Sequence, residues 1–153
     1  AQNIANLRGY LLPTPKLVYE TWRQADLKLT PVKSGSLPKG YRDNMGANLA
    51  QYALHHSAIE SQRDGRTGLL SGAKKDVVMY KGYAPGKVLI YGWFHPDDRP
   101  LKEAMSDDAQ PIQPRSNAHG DFYVDDSHGI RFVHPSALVN GTPMRVEDLM
   151  RSP

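Results

Sequence analysis

The sequence predicts an α+β fold, with N-terminal helices packed on an antiparallel sheet of short strands. Three observations carry this. Apolar residues recur at helical spacing in two stretches before residue 63, and at strand spacing in short runs after residue 76. The turn signals Gly82–Gly86 and Asn140-Gly141 each separate two such runs, as hairpins require. A length of 153 residues fits one domain spanning residues 1–153.

In order along the chain, residues 1–13 are weakly patterned. Thr14 suits an N-cap and Pro15 the first helical position, where a missing N–H costs nothing. Leu17, Val18, Thr21 and Trp22 follow at helical spacing, ending near Asp26. Pro31, Gly35, Pro38 and Gly40 mark residues 30–43 as a loop. A second helix spans about 44–62, capped by Asp43 or Asn44, with Met45, Leu49, Tyr52, Ala53, His56 and Ile59 as its apolar stripe. His56 is then expected in the stripe, and His55, about 100° round the helix, in solvent. Residues 63–75 are a Gly-rich connection without the spacing of a phosphate-binding loop.

Strands are expected at 76–80 and 87–94, paired as a hairpin, then at 121–125 and 130–134, with a last hairpin over 136–146. The polar stretch 95–118 between them is a long loop, expected to wall a cleft. A short helix over 146–151 closes the chain.

Composition excludes several classes. The hydrophobic fraction is 39%, and no apolar run approaches the ~18 residues of a membrane span, so no membrane insertion is expected. Net charge is +3 with a pI near 9.1, but the cations are scattered and not interleaved with aromatics, which argues against nucleic acid. The absence of Cys excludes disulfides, thiolate metal sites and a cysteine nucleophile. The chain begins Ala1-Gln2 without Met, as after signal-peptide removal, so a secreted or periplasmic location is expected. Nothing in the sequence speaks to oligomeric state.

The candidate chemistry concentrates in residues 119–134, which hold three histidines, three aspartates, a serine, a tyrosine and an arginine. One reading is a metal site. His119, Asp125 and His128, with His95 as a fourth ligand from the loop, would leave an open position on a zinc ion, which would acidify a bound water. The spacing is no established signature, and Gly120 interrupts the extended backbone it needs. A second reading is metal-free: His128 as base oriented by Asp125, Tyr123 as acid, and Arg131 holding substrate charge. That set suits hydrolysis or β-elimination of uronates. A serine nucleophile at Ser127 lacks the Gly-x-Ser-x-Gly elbow. In the purely structural reading, the aspartates and Ser127 are turn residues and His128 a buried, hydrogen-bonded imidazole.

Lys74, Lys75 and Asp76 read as a solvated strand entry, or Asp76 or Lys75 faces the same cleft, with Lys75 then binding substrate. Tyr91 and Trp93 share a strand face, as core or as a stacking platform for a sugar ring.

Lys74-Lys75-Asp76-Val77-Val78, Ile90-Tyr91-Gly92-Trp93, Pro111-Ile112-Gln113-Pro114 and Tyr123-Val124-Asp125-Asp126-Ser127-His128-Gly129-Ile130-Arg131 occur in a telling order. In that order the chain resembles a group of uncharacterised secreted bacterial proteins with the pattern "KKDVV … YGW … PIQP … YVDYSHGIRLV". The resemblance covers most of the chain. It implies a single extracytoplasmic domain and marks the same site, without implying a reaction. The chain departs from the pattern at Asp126, where an aromatic is expected, and at Ala73, where a histidine is expected. On the resemblance it is a variant with a site residue removed.

The expectation is therefore a secreted hydrolase acting on a cell-envelope or extracellular polymer, peptidoglycan or polysaccharide, through a His/Asp-centred site. The alternatives are a non-catalytic glycan- or peptide-binding module and a metal-free polysaccharide lyase.

Overall fold

The computed structural model describes residues 1–32, 45–80, 84–96 and 111–151. Most of the expected 30–43 loop, the Asp43/Asn44 cap, part of the Gly82–Gly86 turn and most of the 95–118 loop lie outside the described residues. A short helix missed by the sequence reading, α1 (Gln2–Arg8), precedes the expected one. In α2 (Pro15–Arg23) the Thr14 side chain accepts from the Leu17 amide at 3.2 Å, as its cap signal requires. Val18 and Trp22 on its inner face meet Val78, Leu89, Tyr91 and Phe94, and the Trp22 and Phe94 rings stack at 4.7 Å.

A two-residue strand, β1 (Leu27–Lys28), follows, and then α3 (Met45–Arg63). The connection after α3 supplies β2 (Leu70–Ser71), parallel to β1, and a second core of Leu27, Leu29 and Ala73, which Ile59 of α3 packs against.

The main sheet is built from β3 (Lys75–Val77), β4 (Ile90–Gly92), β5 (Gln113–Ser116) and β6 (His128–Gly129), in the order β5-β4-β3-β6. The β3–β4 and β4–β5 pairs are antiparallel, and β6 adds a parallel edge to β3. The hairpin of β7 (Ser136–Val139) and β8 (Thr142–Arg145) turns on Asn140 at φ 51° and Gly141 at φ 82°, and α4 (Val146–Arg151) closes the chain. The α+β architecture, with helices on a largely antiparallel sheet of short strands, is thus the observed one.

Two expected strands are absent. Residues 121–125 form turns: the Tyr123 amide donates to the Gly120 carbonyl at 3.0 Å, and the Asp125 side chain accepts from the Ser127 amide. Phe122 (97% exposed) and Val124 (68%) therefore face solvent. Turn chemistry at Gly120 and Asp125 overrides the alternation. Of residues 130–134, only Val133 pairs, in a two-bond bridge with Leu11. Conversely, β5 lies where a loop was expected. Its Pro114 is tolerated because β5 is an edge strand.

The α3 stripe is also corrected. Leu49 (71% exposed) and His56 face solvent, whereas His55 is fully buried. The helix buries the face carrying Gln51, His55, Ile59 and Gln62, at steps of three and four, because that face meets Asp126, the second core and the Thr30 backbone.

Candidate functional site

Three segments converge at the β3–β6 edge. The parallel register sets Lys75 beside His128, and Gly92 opposite Lys75 on the other side. The ladder shifts register between Ile90 and Gly92, and the backbone takes φ 131° at Gly92 and φ 59° at Trp93. A positive φ is costly for a tryptophan. This bulge parts Trp93 from Tyr91. Tyr91 stays in the α2 core, so the proposed two-ring platform does not form. Trp93 swings over Lys75, whose Nζ lies 4.5 Å from the ring centroid, and its Nε1 donates to the Ala73 carbonyl at 3.1 Å.

Asp125 is the hub. Its Oδ1 accepts from the Ser127 amide (2.9 Å) and from the Ser127 hydroxyl, and its Oδ2 accepts from the Tyr123 hydroxyl at 3.2 Å. Oδ2 also stands 3.6 Å from His128 Nε2. The Asp-x-Ser turn that makes these bonds brings His128 back onto Asp125, with the His128 amide donating to the Asp125 carbonyl. Burial favours the neutral carboxyl, but the Ser127 bonds and the charges of His128 and Lys75 outweigh it, and the pKa lies below the ordinary value.

The His128 ring is shielded, its side chain 3% exposed. Burial, with Lys75 and His119, lowers its pKa despite the opposing pull of Asp125 and Asp126, so the ring is neutral at pH 7. His119 and Tyr123 stack face to face, centroids 3.9 Å apart, with the Tyr123 centroid 5.7 Å and the His119 centroid 6.3 Å from that of His128. Burial and Asp125 raise the Tyr123 pKa, so its hydroxyl keeps its proton.

The sequence reading did not place α3 here. Gln51 donates to Asp126 Oδ1 at 2.7 Å, and Lys74 Nζ donates to the Asp126 carbonyl at 2.9 Å. Burial, then Asp125 and Asp126, raise the Tyr52 pKa. His55 makes no side-chain hydrogen bond among the described residues, and burial, then Lys74, lower its pKa against the opposing influence of Asp126, the Val32 backbone and Asp125. The available signal was the spacing of Gln51 and His55, one turn apart on a face with no apolar residue between them. Asp126, read as a departure from an aromatic, is the buried anchor of this helix.

His119, Tyr123, Asp125, His128, Lys75 and Trp93 are therefore brought together. Arg131 is not. Its Nε lies 3.5 Å from Asp76 Oδ1 and its Nη2 donates to the Leu70 carbonyl at 3.4 Å, in a neighbouring hollow that His128 does not line. His95 is exposed. Among the described residues, no three His, Asp or Glu side chains are gathered as cation ligands. Comparison with models of known protein families, with curated proteins and with solved structures finds no match to the chain.

Proposed function

We propose that the chain is a secreted hydrolase of cell-envelope or extracellular polymer, peptidoglycan or polysaccharide, working by metal-free acid–base catalysis at His128 and Asp125. The observation that carries this is the pairing of a neutral, shielded imidazole with a low-pKa carboxylate at 3.6 Å, the same carboxylate holding the Tyr123 hydroxyl. Asp125 Oδ2, 3.6 Å from Nε2 and short of a hydrogen bond, favours the Nε2–H tautomer of His128 by its charge and leaves Nδ1 as the base that activates water. Tyr123, protonated and partly exposed, donates to the leaving group. Lys75, held by Trp93, supplies positive potential for a developing oxyanion.

Support for a polymer substrate is the exposed Phe122–Tyr123 pair, three and two positions before Asp125 in the chain, where a sugar or peptide can stack. The same pair favours a second reading, a glycan- or peptide-binding module in which the polar cluster is structural.

The test is His128→Gln on untagged protein, assayed for hydrolysis of peptidoglycan and of a panel of anionic polysaccharides, with metal content measured in parallel. The expected result is a loss of roughly 10²–10⁴-fold in rate with unchanged circular dichroism. Near-stoichiometric zinc, lost in the variant, replaces this mechanism with a metallohydrolase. Unsaturated products indicate a lyase. Full activity in the variant removes His128 from catalysis, and binding without turnover by the wild type supports the module.

A further inference from the structure

The hollow that receives Arg131 has about 370 Å³, within the range of small-molecule pockets. Leu29, Ile59, Leu70 and Ile130 wall it, and Arg131 and Asp76 form its polar end. Its other charges are already engaged. Arg63 pairs with Glu60 at 3.2 Å, and Lys74 Nζ is bonded to the Asp126 carbonyl.

Arg131 differs. Its guanidinium has five donors, yet among the described residues its contacts are one long bond to the Leu70 carbonyl and a loose approach to Asp76, and its shielded Nε makes no hydrogen bond. Asp76 compensates it poorly. The Asp76 carboxylate stands 3.5 Å from Nε, short of a hydrogen bond, and burial pushes it up to about 6 against the opposing pull of Arg131.

We infer that this hollow binds a small monocarboxylate with an apolar body, its carboxylate seated on the guanidinium of Arg131 and its body against Leu29, Ile59, Leu70 and Ile130. A guanidinium fork matches a carboxylate in shape and charge. A dianion such as a phosphate monoester would face Asp76 and Glu60 with one poorly compensated cation to hold it. A neutral apolar ligand would leave the Arg131 donors unmet. The site stands apart from His128, and the fate of the hydrolase reading does not alter it.

The experiment is an amide NMR titration of the full chain with hexanoate, and with hexanol as the uncharged probe of the same tail. Saturable hexanoate shifts are expected at Gly72, Ala73, Gly129 and Ile130, with hexanol weaker by roughly ten- to a hundredfold. Arg131→Met is expected to abolish the difference between the two probes. Because Arg131→Met removes the partner of a buried carboxyl, Ile130→Glu serves as the second variant. It replaces an apolar wall residue, half exposed, by an anion, so hexanol loses only the apolar contact while hexanoate also meets repulsion, and hexanoate binding is expected to weaken more than hexanol binding. Equal binding of the two probes by the wild type, shifts that map elsewhere, or hexanoate binding unchanged in Ile130→Glu would each overturn the assignment.

Discussion

Asp125 shows how much one side chain sets. Its carboxylate satisfies the Ser127 amide and hydroxyl and the Tyr123 hydroxyl, and Ser127 is itself almost wholly buried. Removing the acceptor leaves a buried hydroxyl and a buried amide without partners, each costing about 1–3 kcal/mol. Asp125→Ala is therefore expected to lower unfolding stability by roughly 3 kcal/mol in urea denaturation at constant slope. Ser127→Ala in the Asp125→Ala background should recover part of that loss, since the orphaned hydroxyl is gone. A double variant no more stable than the single one would show that the Ser127 hydroxyl finds another acceptor. At this scale the site was half legible. Asp125, His128, Tyr123 and His119 were visible as a dense run of chemistry-bearing residues within ten positions. Arg131 belonged to the same run yet turns into another hollow, because after Gly129 the chain leaves the sheet and, of residues 130–134, only Val133 pairs again. His55 was invisible, because an apolar stripe through Leu49 and His56 described the helix better by composition than the polar face it buries.

Elements whose signals are local were the readable ones. The Thr14 cap, Pro15 and the Val18/Trp22 face specify α2 within one stretch of chain, and Asn140-Gly141 specifies the β7–β8 hairpin. Thr14→Ala is expected to cost about 1 kcal/mol by loss of the bond to the Leu17 amide, and Thr14→Ser to cost little. Equal losses in the two variants, compared by thermal denaturation, would mean that the threonine methyl and not its hydroxyl sets the start of α2. Elements that depend on distant partners were not readable. The edge strand β5 carries Pro114, a strand-breaking signal anywhere but at an edge, and β6 is two residues long and exists only because β3 is beside it. Residues 121–125 failed in the opposite sense. Their alternation had no sheet to join, and the turns at Gly120 and Asp125 took the backbone instead.

The whole molecule should lose stability on mild acidification, because its buried histidines are held neutral. The folded pKa of both His55 and His128 lies below the ordinary 6.5. As pH falls through 6.5, the unfolded chain binds protons at these sites before the folded chain does, and stability drops until the folded values are passed. Each unit of depression costs about 1.4 kcal/mol. Asp125, with a folded pKa below 3.8, adds a further loss at stronger acid. Asp76 works the other way. Its folded value of about 6 lies above the ordinary 3.8, so its contribution is present below 3.8 and is lost as pH rises through 6, and it partly offsets the histidines between those limits. The cleaner window is therefore pH 7.5 to about 6.5, above the range in which Asp76 takes up most of its proton. Urea midpoints are expected to fall across that window in the wild type and to fall less in His55→Leu, which puts an apolar side chain where neither ring nitrogen has a hydrogen-bond partner among the described residues. An identical slope in the variant would mean that the folded protein does not disfavour the charged His55. The groups that face this ring, Lys74, Asp125 and Asp126, are those that tie α3 to the site: Gln51, one turn before His55, bonds Asp126, and Lys74 bonds the Asp126 carbonyl. A proton on His55 would thus sit beside Lys74 at the joint between helix and site, so acid should loosen the grip of α3 on the segment that carries Asp125 and His128 before it unfolds the α2 core, whose packing is apolar.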